Sequence, residues 1–300
     1  MQKVLVAEIG SETTVVNAFG DLSSENPLII GQGISPTTVL NGDVGIGLKF
    51  AIRDLEKDIG PVGSLGEIPF YVTSSLHSQS TVREVNKAYI NGGILPTPEA
   101  IMKAAQLIYE EVGDVLVIDV GGASTNVYSV TSELLAQRTV GEDLGVTINA
   151  SSLVKLLGEN KIKEHHGQEW EKLLKFQPET PEEMALSAEL AAAAISIALQ
   201  RHSVKFRNYS GARDNVTSAE GRNLTRIRWI IGTGVALTQL PNGIDVLRET
   251  VKAMDGALFT QDGIAIMIDK DCIMASLGVL TNTYRNGTWQ LMRESFGVEN

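Results

Sequence analysis

Two carboxylates each end an apolar run and lead at once into a glycine turn rich in hydroxyls. Asp119 closes VLVID and is followed by Gly121, Gly122, Ser124 and Thr125. Glu8 closes VLVAE and is followed by Gly10, Ser11, Thr13 and Thr14. Without a Cβ, such turns let backbone N–H groups approach a bound anion. Hydroxyls add donors, and a carboxylate at the strand end can hold Mg²⁺ directly or through water. A third turn, Gly232, Thr233 and Gly234, follows the apolar run Ile227–Ile231. Singly, each turn reads as well as loop punctuation. Together, in this order, they point to phosphoryl handling, with amides offsetting phosphate charge and carboxylates holding metal or aligning water. None of the three carries the lysine of GxxxxGK[ST] or the spacing GxGxxG, which counts against P-loop and Rossmann sites.

The elements that must position these turns follow from periodicity. Residues 3–9 and 12–19 alternate as a β-hairpin, Leu28–Gly33 reads as a third strand, and Ile68–Thr73 as a fourth. Between them Val44, Leu48, Ile52 and Leu55 recur at helical spacing, with Asp43 placed to cap. After the helix Pro98–Val112 the pattern restarts. Asp114–Val120, Ser124–Thr131 and Leu134–Val140 repeat the three-strand opening in order and turn chemistry. Asn149–Gly158 reads as a helix and 159–178 as a charged excursion. A long helix follows, with Thr180 as N-cap, Pro181 at N1 and Glu183 completing a capping box. Residues 207–222 read as a polar loop. A strand at Ile264–Ile268 and a helix at Ile273–Thr283 close the pattern. The expected fold class is α/β, with two ribonuclease-H-like lobes around a nucleotide cleft. The first lobe is expected over 1–96. The second is expected over 97–300, with a helical insertion near 149–206.

DVGGASTNVYS, RTVGEDLGV, PTTVLNGDVGIGL and EIGSETTVVNAF together resemble the glutamate mutase accessory family. These are the MutL-type reactivating ATPases that serve cobalamin-dependent mutases and aminomutases, within the actin-like ATPase superfamily. The resemblance runs from Lys3 to about Thr283 and implies ATP and Mg²⁺ as cofactors. It implies a first phosphate loop at Gly10, Ser11, Thr13 and Thr14, a second at Gly121, Gly122, Ser124 and Thr125, and an adenosine loop at Gly232, Thr233 and Gly234. Asp119 and Glu8 become the metal and catalytic carboxylates. Glu142 and Asp143 fall where the superfamily places acidic residues near the nucleotide, and Glu142 joins the catalytic set. The partner implied is a cobalamin-dependent mutase or aminomutase, with a homodimer a further assembly to test.

Four positions depart from the pattern. Glu8 stands for the usual aspartate, Glu12 sits in a phosphate turn, Asn126 replaces an expected aspartate, and Val235 replaces a glycine. These bear on hydrolysis more than on nucleotide binding. Residues 75–96 are too few and too polar or glycine-rich for the helix and strand a full lobe requires, and between Leu76 and Gly92 the sequence is shorter than the family pattern. Either the protein is a compact form or its sequence lacks an internal piece. Two other functions fit the scaffold: a small-molecule kinase, which needs a base that the sequence does not offer outside the phosphate loops, and a nucleotide-binding scaffold without turnover.

Composition narrows the partners. With 25 basic and 36 acidic residues the net charge is −11, against a broad nucleic-acid surface. A single cysteine, Cys272, excludes an internal disulfide and suits the cytoplasm. No uninterrupted apolar span approaches membrane-crossing length, and no secretory leader is expected. The alanine-rich run Leu186–Leu199 is broken by Glu189. His165 and His166 sit among charges with no carboxylate at ligand spacing, so a solvated helix or loop is the better reading. Ser74, Ser75 and His77 lack a GxSxG turn and read as loop. Arg201, His202, Lys205, Arg207, Arg213, Arg222 and Arg226 form the one basic stretch, read as a solvated face or a docking surface for an acidic partner.

Overall fold

Strand β1 (Lys3–Ile9) is buried along most of its length, so its β-branched and aliphatic residues must lie inside a sheet. It pairs antiparallel with β2 (Thr13–Gly20), which pairs antiparallel with β3 (Leu28–Pro36). A parallel partner then needs a crossover. Helix α1 (Val44–Ile59) supplies it, and β4 (Phe70–Ser74) runs parallel to β1. The stripe Leu48, Ala51, Ile52 and Leu55 turns α1 onto the sheet, where it joins Leu5, Ala7, Val16 and Phe70 in one core. Strand β5 (Gly93–Pro96) runs parallel to β4 and leads into α2 (Thr97–Val112). The computed structural model describes residues 1–38, 44–75, 90–133, 135–203, 205–210, 215–220, 224–254 and 263–298. Asp43, His77, Arg213, Arg222 and most of the shortened stretch after Leu76 lie outside them.

The restart seen in the sequence is a repeat of topology. Strands β6 (Val115–Val120), β7 (Thr125–Thr131) and β8 (Leu135–Gly141) form a second antiparallel meander. Strand β11 (Trp229–Thr233) joins β6 in parallel, and β12 (Ala265–Ile268) joins β11. The first sheet has the order β3-β2-β1-β4-β5, and the second reads β8-β7-β6-β11-β12. The second lobe's crossover carries α3 (Ala150–Leu157), α4 (Glu159–His166) and α5 (Pro181–His202). The Thr180 side chain accepts from the Glu183 N–H, and the Glu183 carboxylate accepts from the Thr180 N–H, so the expected capping box is formed. Leu186, Leu190, Ala191, Ala194, Ile195, Ala198 and Leu199 make one buried stripe against the sheet. Polar 207–222, expected as loop, instead holds a two-stranded antiparallel pair, β9 (Lys205–Ser210) and β10 (Asn215–Glu220).

The short helix α6 (Val235–Thr238) and α7 (Gly243–Ala253) lie between β11 and β12. Helices α8 (Met274–Leu280) and α9 (Arg285–Ser295) close the chain. The chain divides into two units, Met1–Ile108 with Asp269–Asn300, and Tyr109–Ile268. This differs from the expected lobe of 97–300, because the last helices return to the first unit. Gly278 of α8 lies so close to α2 that a Cβ there would stand 1.9 Å from the Ala100 carbonyl oxygen. The buried Asp269 carboxylate accepts from the N–H groups of Ile273 and Met274 and from Ser295 Oγ, tying α8 to α9.

Candidate functional site

The two carboxylate-ended turns are built alike. Gly10 N–H donates to the Thr13 carbonyl at 2.8 Å, and Gly121 N–H donates to the Ser124 carbonyl at 2.9 Å. Ile9 pairs with Thr14 and Val120 with Thr125, so Glu8 and Asp119 occupy the same register position. A Cβ would stand 2.9 Å from the Thr13 oxygen at Gly10, too close without a shift, and 3.1 Å from the Ser124 oxygen at Gly121, a tight contact. The amides of Gly10 and Gly121 are therefore spent on closing the turns. Among the described residues, the N–H groups of Ser11, Gly122 and Ala123 have no protein acceptor. Thr14 and Thr125 are buried, and their hydroxyls serve the fold, Thr14 bonding Thr37 and Thr125 donating to the Leu144 carbonyl. Thr13 and Ser124 remain as the hydroxyls nearer the turns.

In the second unit the connecting segment GEDLGVTIN clasps the turn. Val146 N–H donates to the Gly121 carbonyl, Thr147 N–H to that of Gly122, and Asn149 Nδ2 to that of Ala123 at 2.7 Å. All three turn carbonyls thus have donors, which removes the oxygens that would repel an anion while sparing two amides. Glu142 is exposed, and its carbonyl accepts a second bond from Asn149 Nδ2. Asp143 instead forms a two-pronged pair with Arg201 at 2.6 and 2.8 Å. That hydrogen-bonded guanidinium holds the Asp143 carboxyl below the usual carboxylate range.

The third motif lies beside the second. Thr233 of β11 is in register with Asp119 of β6. Gly234 follows with φ +92°, and a Cβ there would meet the Val120 oxygen at 2.4 Å and Asp119 Oδ1 at 2.6 Å. Only glycine fits this position. Asn126 faces Asp119 across the β6–β7 pair. Its Nδ2 donates to Ser124 Oγ, while its buried Oδ1 has no donor among the described residues. Asp119, Gly121, Gly122, Ser124, Gly232, Thr233 and Gly234 are thus gathered at neighbouring strand ends. A carboxylate, an unmet carbonyl oxygen and spare amides suit a hydrated cation bound to an anion.

In the first unit Glu8 is held by α8. Its Oε1 accepts from Ser276 N–H at 2.9 Å, from Ser276 Oγ and, more weakly, from Asn17 Nδ2. Asn17 Nδ2 also donates to Ser276 Oγ, and Gln32 Nε2 donates to Asn17 Oδ1. Sequence reasoning missed Asn17, Ser276 and Asn149. The signal was present for two of them: Asn17 interrupts an apolar strand, and Ser276 interrupts an apolar helix. Two members of the basic stretch are also corrected. His202 is buried, with its ring nitrogens on Thr139 Oγ1 and Ser129 Oγ, and Arg201 is committed to Asp143. Arg226 lies near Asp114 and Glu133.

The chain is similar to known proteins in sequence and in fold. The MutL protein family matches residues 4–78 and 79–296, with its break inside the stretch that the sequence marks as short. Protein MutL of Clostridium tetanomorphum is 27% identical over 239 residues, 69% of this chain and 52% of that protein. The chain thus spans about half the length of that relative. Component A of the Acidaminococcus fermentans (R)-2-hydroxyglutaryl-CoA dehydratase superposes with a TM-score of 0.53 at 12% identity, covering 96% of this chain and 99% of its own. The activator of the Clostridium difficile 2-hydroxyisocaproyl-CoA dehydratase, solved with ADPNP, gives 0.53 at 12% identity over 100% and 99%. A Streptomyces griseus ROK-family glucokinase, solved with glucose and AMPPNP, gives 0.51 at 10% identity over 95% and 99%. The fold is that of the two-lobed actin-like ATPases. With the family matched along nearly its whole length, the chain belongs to the MutL protein family.

Proposed function

We propose that this chain is an ATP-binding, ATP-hydrolysing accessory factor that reactivates an adenosylcobalamin-dependent mutase or aminomutase in the cytoplasm. The observation that carries the reading is the junction of Asp119, the Gly121–Ser124 turn and Gly232–Gly234 on adjacent strand ends. The nucleotide analogues bound by two relatives of the same fold support it. The amides of Gly122 and Ala123 would bind phosphate oxygens, and Gly234 would leave room for the nucleoside. Asp119 would hold Mg²⁺ through water, with Asn126 Oδ1 accepting from that hydration shell. The Ser11 amide repeats the anion-binding design in the first unit, where Glu8 would align metal or water. Glu142 is the third acidic candidate. Bound ATP with Mg²⁺ would supply a transferable phosphoryl group.

Titrating ATP with and without Mg²⁺ into the wild type and Asp119→Ala tests this. The wild type should bind more tightly with Mg²⁺. The variant should lose that dependence and bind about tenfold or more weakly, as befits one lost charged contact. Equal affinities in all four titrations would refute the assignment. Co-purification with a cobalamin mutase, with and without ATP, tests the partner. The engagement of Glu8 by Ser276 favours a second reading, nucleotide binding without turnover. Single-turnover hydrolysis separates the two.

A further inference from the structure

We infer that His165, His166 and Glu189 form a binding site for one divalent transition-metal ion of the zinc class, joining α4 to α5. The sequence hides this site because its carboxylate comes from another helix. Consecutive residues on an α-helix diverge by about 100°. His165 and His166 nevertheless meet one acceptor, because the first uses its near nitrogen and the second its far one. His165 Nδ1 lies 3.0 Å from Glu189 Oε2, and His166 Nε2 lies 2.9 Å from the same oxygen. One ligand atom from each residue lies within 4.8 Å of the other two. An ion with bonds near 2.1 Å in tetrahedral geometry holds its ligands roughly 3.4 Å apart, so small shifts would admit it.

Charge supports the same conclusion. The Glu189 side chain is 25% exposed and that of His166 only 9%. Among the described residues no lysine or arginine pairs with Glu189; its partners are the two imidazoles. Among the described residues this half-buried carboxylate thus faces two histidines and no permanent cation. Two imidazole nitrogens and one carboxylate oxygen are a borderline-soft donor set that suits zinc over magnesium. Three protein ligands leave a fourth position for water or a partner's side chain.

The test uses tag-free, chelator-treated protein, titrated with Zn²⁺ in excess Mg²⁺ and without nucleotide. The wild type should bind one equivalent, and Zn²⁺ should raise its melting temperature. His166→Ala and Glu189→Gln should each weaken binding at least about tenfold and abolish that rise, given that even outer-shell changes cost about 10–100-fold. Co²⁺ should give the visible absorption of a low-coordinate site in the wild type alone. Melting without metal checks that the variants fold. Should His166→Ala not fold, the half-exposed His165→Ala replaces it. Zinc affinity unchanged in the folded variants, or no saturable binding by the wild type, would overturn the site and leave a hydrogen-bonded cluster.

Discussion

Asp119 and Glu8 hold equivalent strand ends, yet their neighbours differ. Asp119 has a glycine against it and an unmet carbonyl oxygen opposite. Glu8 has a helix whose Ser276 donates to its carboxylate. The extra methylene of Glu8, noted in the sequence as a departure, accompanies this bond to the closing helix. Asp143 shows how one residue of an acidic pair is diverted to structure. Its carboxyl is held below the ordinary range by Arg201, so the folded state binds its proton less readily than the unfolded chain. The stabilisation is therefore present above about pH 4, the ordinary carboxylate value, and is lost as pH falls through the depressed folded value. Asp143→Asn should lower the urea-derived stability at pH 7 by about 1 kcal/mol or less, because the pair is solvent-facing. The gap from wild type should close at lower pH. A gap that persists unchanged well below pH 4 would contradict this.

At the scale of elements, α5 organises the second unit. One stripe packs on the sheet, Arg201 at its last turn anchors the connecting segment, and Glu189 faces α4. Its start is fixed by reciprocal bonds between Thr180 and Glu183. Thr180→Ala should cost about 1 kcal/mol, the usual worth of an N-cap side chain. Chemical denaturation of both proteins under one condition measures this, and an unchanged midpoint would show that the cap adds nothing. Helix α9 was invisible in the sequence for a definable reason. Its buried face is Gly287, Thr288, Leu291, Met292 and Ser295, a helical spacing filled largely by small or polar residues. Hydrophobic periodicity reports such a face poorly.

For the whole molecule, two sheets of one topology carry one turn design apiece, and the chain returns from the second unit to complete the first. Residues 269–300 supply the partner of Glu8, the close contact with Ala100 and the buried Asp269 network. A protein ending at Ile268 should therefore lose the first unit selectively. Limited proteolysis should cut within 1–108 readily and spare 109–268 longer. Equal protection of 1–108 in the truncated and full chains would show that the return is dispensable. Among the described residues no helix is long and apolar enough to cross a membrane.

Local signals in the sequence determined much of this protein. Strand alternation, the helical stripes of α1 and α5, the capping box and the repeat of a carboxylate-ended glycine turn all depend on neighbours a few residues apart. Such contacts are written in short-range spacing, and they sufficed to indicate the α/β fold, while the quoted motifs carried the family resemblance. Tertiary structure decided what depends on distant partners. It made Thr125 a fold-serving hydroxyl through Leu144, tied Asp143 to Arg201, brought Ser276 to Glu8 and delivered Glu189 to His165 and His166. In each case the residue type was visible in the sequence. Its role was not, because a polar side chain acquires its function from the group that folding sets within about 3 Å of it.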